Sequence, residues 1–150
     1  MKITVLTGVG ETEFSSNICL ARALRAMGHD VWIVGPNYHN TYGEQAEQAK
    51  EADVVLKDTP YPHFYSYKEI LDISPWAPDI IFVLDPRGAV NGEKPKGIIS
   101  CFYSTDQHRA GELHMRLIKE GRYDIVFVGQ GAYLPFFAQS APVVEILWPA

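Results

Sequence analysis

The chain has 150 residues, 47% of them hydrophobic and 21% charged, enough apolar material for one domain with a real core and too little for two ordinary ones. Its formal net charge of -5 argues against a general binder of nucleic acid or anionic membrane, since no basic surplus exists to hold a polyanion. Each of the two cysteines, Cys19 and Cys101, sits in an apolar segment, and both are expected to be buried, reduced thiols of a cytoplasmic protein.

The opening "MKITVLTGVG" has only a short apolar run, followed at once by polar residues, so neither a signal peptide nor a membrane span is expected there. "KITVLTG" reads as a first strand, rich in β-branched residues and ended by glycine. After it, "GVGETEF" puts Gly8 and Gly10 where a backbone can approach a phosphate at a helix N-terminus. A dinucleotide site would want a third glycine where Glu13 stands, and Glu11 adds a further negative charge. The bland reading of this loop is a flexible turn; between the two lies a glycine loop at the mouth of a cleft.

Phe14, Ile18, Ala21, Leu24 and Met27 then form one helical stripe, with Arg22 and Arg25 turned away and Gly28 ready to end the helix. "VWIVGP" follows as a second strand, ending in Gly35, Pro36 and Asn37 where a ribose-binding carboxylate would be needed. "YGEQAEQAKEA" reads as a polar surface helix and "DVVLKD" as a third strand. In "TPYPHFYSY", Tyr61, Phe64, Tyr65 and Tyr67 surround His63; such rings can stack on a sugar or base, or pack a loop onto the core. "SYKEILDIS" begins with a capping box, Ser66 with Glu69 three residues on.

"PDIIFVLDP" is a further strand, with Asp85 and Arg87 just past it; Arg87 can meet a phosphate or carboxylate, or simply contact Asp85 in a turn. "KGIISCFY" ends at Tyr103 and runs into "STDQHR", an unusual concentration of polar and titratable groups for a strand end. There Asp106 and His108 can each take a proton, or cap and begin the next helix. In "HRAGELHMRLIKEG", Ala110, Leu113 and Leu117 line one stripe, Glu112 can pair with Arg116, and Gly121 closes the helix. His108 and His114 are wrongly spaced to share a metal. "YDIVFVG", with Gln130 beyond it, and "VVEILW" complete the strands, separated by a last helix whose Pro135 suits a first turn.

Apolar runs alternating with helices predict a single Rossmann-like α/β domain over residues 1–150: a doubly wound, mostly parallel sheet of about seven strands in three αβα layers. Right-handed crossovers bring the carboxyl ends of the strands to one edge, where ligands collect. Gly8, Gly10, Asp85, Arg87, Tyr103 and Gln130 are the candidate substrate-binding residues at that edge, and Asp106 and His108 the candidate catalytic ones. No G-x-S-x-G elbow, Walker loop or metal-ligand spacing stands out.

"MKITVLTGVGETEFSSNICLARALRAMGHDVWIVGP" resembles the opening of GT-B glycosyltransferases, and "STDQHRAGELHMRLIKEGRYDIVFVGQGAYLPFFAQSAPVVEILWPA" is similar to the spore-maturation-protein-like branch of that superfamily, related to glycosyltransferase family 4. Members have an Asp-x-His after a strand, then "YD" with an apolar strand, and a "WLP-A" phrase closing the first domain, here "LWPA". The resemblance implies an N-terminal, acceptor-side domain whose partner, a C-terminal domain, binds the nucleotide-sugar donor. It implies transfer of a sugar to an acceptor hydroxyl, no cofactor or metal on this domain, and no catalysis by this half alone. Asp106 and His108 match the Asp-x-His pair; Gly8 and Gly10 match the first loop, although "GVGETEF" has fewer glycines than many versions. Two rival expectations stand beside it: a non-catalytic module that binds a small ligand or protein at the same edge, and a nicotinamide-dependent oxidoreductase domain.

Overall fold

A computed structural model of the chain describes residues 1–8, 16–36, 52–56, 64–84, 86–105 and 107–146; the side chains of residues 16–18, 87, 107–110 and 146 lie outside the description. In chain order the elements are β1 (Lys2–Leu6), α1 (Ser16–Ala26), β2 (Asp30–Pro36), β3 (Val54–Leu56), β4 (Tyr65–Ser66), α2 (Tyr67–Ile73), β5 (Ile80–Val83), β6 (Val90–Asn91), β7 (Ile99–Ser104), α3 (Gln107–Gly121), β8 (Ile125–Val128), α4 (Leu134–Phe137) and β9 (Val143–Ile146). Single 3-10 turns occupy Pro86–Gly88 and Gly131–Tyr133. The seven expected strands pair in the order β3-β2-β1-β5-β7-β8-β9, every pairing parallel. The chain winds outward from β1 to β3, then crosses to β5 on the far side of β1 and winds outward again. This is the Rossmann-like, doubly wound arrangement, and its switch point lies between β1 and β5.

The strand alternation decides the layers. Leu6, Trp32, Val34, Ile81, Val83, Phe102, Val126 and Val128 face one side, where Tyr67 and Ile70 of α2, Leu117 and Ile118 of α3 and Phe137 of α4 complete a buried cluster. Ile3, Val5, Val31, Ile33 and Tyr103 face the other side with Ala21, Leu20 and Leu24 of α1. Among the described residues α1 is the only helix on that second side. Toward β9 this face opens: Ile99 is 45% and Val143 41% exposed. The expectation of strands covered on two sides therefore holds in the middle of the sheet and relaxes at its β7–β9 end.

One device recurs where three of the strands begin. Asp53, Asp79 and Asp124 each stand just before a strand and each close the ladder onto one residue of the neighbouring strand from both sides. Asp53 donates its N–H to the Ile33 carbonyl (2.8 Å) and accepts the Ile33 N–H (2.7 Å). Asp79 does the same with Lys2 (2.8 and 2.8 Å), and Asp124 with Ser100 (2.9 and 2.8 Å). A short acidic side chain thus satisfies a donor of the adjacent strand at the point where the pairing with its own strand begins.

Most helix ends follow the sequence. Ser66 Oγ accepts the Glu69 N–H (3.1 Å) and Glu69 Oε2 accepts the Ser66 N–H (2.7 Å), completing the capping box. Gly28, at φ +85°, sits at the left-handed position after α1, with Gly28 N–H on Arg25 (2.9 Å) and His29 N–H on Leu24 (3.2 Å). That turn carries Met27 off the expected stripe, leaving it 71% exposed. Cys19 is exposed rather than buried, Cys101 is buried, and both thiols are free. Arg116 pairs forward with Glu120 (3.3 Å) instead of back with Glu112.

At the end of α3 the expectation needs correction. The left-handed residue is Arg122, at φ +52°, not Gly121. Gly121 is required for closeness: a Cβ there would lie 2.3 Å from the Tyr123 ring and 2.7 Å from the Val90 carbonyl oxygen. The expected helix in "YGEQAEQAKEA" falls outside the described residues except for Ala52. Tyr65 and Tyr67 are buried and Phe64 packs on the core, so for them the packing reading holds. Tyr61 and His63 lie outside the description.

Candidate functional site

The registers shape the carboxyl rim. Leu6 and Val83 are partners, so β1 and β5 stop level with each other. β2 continues two residues beyond Val34, the partner of Leu6, to Pro36. β7 continues two beyond Phe102, the partner of Val83, to Ser104, and β8 ends level with Ser104 at Val128. The switch point is therefore a notch in the ladder, where strand pairing stops about two residues short of the flanking strands.

The floor of the notch is close-packed backbone. Thr7 N–H continues the ladder to the Val34 carbonyl (3.1 Å), and Leu84 N–H does so to the Leu6 carbonyl (2.8 Å). Gly35 and Gly88 pinch the end of β1: a Cβ on Gly35 would fall 1.6 Å from the Thr7 carbonyl oxygen, and one on Gly88 would fall 3.0 Å from Leu6. Gly8 is buried in this floor, and the backbone of Arg87 crosses it in the turn after β5. Gly10 and Asp85 lie outside the described residues.

The wall beside β5 brings a second group together. Tyr103 is 7% exposed, and its hydroxyl reaches the β8 loop, where a Cβ on Gly129 would lie 3.1 Å from it. Burial raises the Tyr103 pKa, keeping the phenol a hydrogen-bond donor at neutral pH. Gly129 N–H binds the Ser104 carbonyl (3.0 Å), and Gln130, next along, is exposed. His108 belongs to the first turn of α3, which starts at this wall; its side chain and the whole of Asp106 lie outside the description. Tyr103, Gln130 and the start of α3 thus share one wall, while Gly8 and Arg87 belong to the floor.

Sequence reading passed over His114, considered only as a metal partner. It is 2% exposed, and its Nδ1 lies 2.8 Å from Ser104 Oγ, with its ring edge-on to Phe102 at 6.0 Å between centroids. The signal was present in the spacing: His114 falls four residues after Ala110 and three before Leu117, on the buried stripe of α3. The bond fastens the last residue of β7 to the second turn of α3.

Other reactive groups are held inert. The Cys101 thiol is pushed up to about 11 by burial and then by the nearby Asp124 charge, which removes it as a nucleophile at neutral pH. Burial likewise pushes Tyr67 up to about 12. Among the described residues no three His, Cys, Asp or Glu side chains could hold a metal ion, and no helix is long and apolar enough to cross a membrane. No family model matches the chain, and no curated protein matches its sequence.

Proposed function

We propose that the chain is the acceptor-side domain of a GT-B glycosyltransferase, transferring a sugar from a nucleotide-sugar donor to an acceptor hydroxyl, and that it is inactive without a C-terminal donor-binding domain. The topology supports this reading: β7 lies one strand from the β1–β5 switch, and the Asp106-x-His108 pattern follows β7 in the chain, at the carboxyl rim. In an inverting enzyme Asp106 or His108 removes the acceptor proton as the sugar–phosphate bond breaks; in a retaining enzyme the pair orients the sugar. Tyr103 and Gln130 offer hydroxyl and amide partners to the acceptor beside them. We assign the reaction to the cytoplasm, in keeping with two thiols that form no disulfide.

The test is a transfer assay on a polypeptide joining this domain to its donor-binding half. His108→Ala is expected to lower kcat about 100-fold or more, with an unchanged melting temperature and unchanged donor KM. Full turnover by both His108→Ala and Asp106→Ala would refute the catalytic assignment. A rise in the melting temperature of the chain with NAD(H) would instead favour a nicotinamide-dependent oxidoreductase.

A further inference from the structure

A cavity of about 710 Å³ opens at the amino-terminal rim, away from the notch, lined by Asn91, Gly92, Glu93, Lys119, Glu120 and Arg122. One wall is the last turn of α3, the other the segment leaving β6. The two walls are fixed to each other beneath the surface: Val90 N–H binds the Tyr123 hydroxyl (3.0 Å), and Gly121 admits the Val90 carbonyl where a side chain would not fit. Lys94, next to Glu93, is anchored by its ion pair with Asp124. The backbones of the two walls are therefore tied together beneath an open depression lined mostly by exposed residues.

Its charges are uncommitted in a specific way. Glu120 is engaged by Arg116, whereas Lys119, Arg122 and Glu93 have no ion-pair partner among the described residues. Arg122 also holds the left-handed conformation that favours glycine, φ +52°, at the position after a helix where glycine is usual. The left-handed backbone thus occurs at an exposed residue that lines the cavity. Lys119 and Arg122, three residues apart in the chain, bring two cations to the same lining, and a dianion suits such a pair because Arg can grip it through two N–H groups. The same lining includes Asn91 and Glu93, whose amide and carboxylate are natural partners for hydroxyl groups.

We propose that this cavity binds a phosphate monoester bearing several hydroxyl groups, a sugar phosphate in chemical class, with Lys119 and Arg122 on the phosphate and Asn91 and Glu93 on the hydroxyls. The site is independent of the transferase reading, because it lies at the other rim and its test uses no turnover. Calorimetric titration of the whole chain with glucose 6-phosphate is expected to give saturable binding that weakens as salt rises, with inorganic phosphate much weaker and glucose without detectable heat. Arg122→Gly is expected to weaken binding about tenfold or more while the melting temperature holds or rises, a combination that a merely structural arginine would not produce. Lys119→Gln carries the same expectation for binding should Arg122→Gly fail to fold. Absence of saturable binding, equal affinity for inorganic phosphate, or wild-type affinity in both variants would overturn the proposal.

Discussion

Thr4 is fully buried in β1, and its hydroxyl has no hydrogen-bond partner among the described residues. A buried hydroxyl without a partner costs stability, and valine has nearly the same shape without that cost. Thr4→Val is therefore expected to leave stability unchanged or raise it by up to about 1 kcal/mol, read from urea denaturation midpoints. Gly35 lies at the opposite extreme. Its Cβ would overlap the Thr7 carbonyl oxygen at 1.6 Å, and backbone, unlike a flexible side chain, cannot move aside without breaking the β1–β2 ladder. Gly35→Ala is expected to cost about 3 kcal/mol or more, by the same measurement. Neither consequence was visible in the sequence: "VWIVGP" gives Gly35 as a strand-ending glycine, whereas the reason for it is a neighbour twenty-eight residues earlier in the chain. Gly121 was misread for the same reason, because its constraint comes from Val90 and Tyr123 and not from its own helix.

At the scale of elements, Asp124 illustrates how a strand is started. Burial alone would raise its pKa, but the Lys94 ammonium and the Ser100 N–H and hydroxyl outweigh that and hold the carboxyl below its ordinary value of 3.8. Because the folded-state pKa is the lower one, the stabilisation is whole above that ordinary value and is lost as pH falls through the folded-state value. Asp124→Asn keeps an acceptor and removes the charge, so it is expected to cost about 1 kcal/mol at pH 7, discounted for the partial exposure of the pair. The gap between variant and wild type should narrow as pH falls below 3.8 and through the lower folded-state value, checked by urea denaturation across pH. The seven long strands were legible because each is a β-branched run ended by glycine, proline or polar residues. The β4–β6 ladder was not, since Tyr65–Ser66 and Val90–Asn91 are two residues each and carry no period. The carboxyl rim was legible as a location from the β-α rhythm alone, but its depth was not, because depth depends on register between strands far apart in sequence.

For the whole molecule, the uneven cover of the sheet makes a test by contrast. Val143 and Val144 are consecutive in β9 and point to opposite faces; Val143 is 41% exposed, while Val144 packs on the cluster beneath α3 and α4. Val143→Lys is expected to change stability by no more than about 0.5 kcal/mol, whereas Val144→Lys should cost about 3 kcal/mol or more by forcing an ammonium against that cluster. Equal losses in thermal and urea denaturation would mean that both faces are closed there. The contrast also explains why hydropathy alone overstated the cover, since Ile99, Ile125 and Val143 are as apolar as their buried neighbours.

The three aspartates that begin β3, β5 and β8 have a consequence for how such a domain can vary. Each clamps its own strand to one residue of the neighbour, Asp79 to Lys2, Asp124 to Ser100 and Asp53 to Ile33, so register is set pair by pair at staggered levels across the sheet. Since side chains alternate with a period of two, the far ends can be recut in two-residue steps, with longer β2 or β7 or longer β1, while each clamp keeps its own register. A domain pinned pair by pair in this way can be refitted for a different guest without being rebuilt.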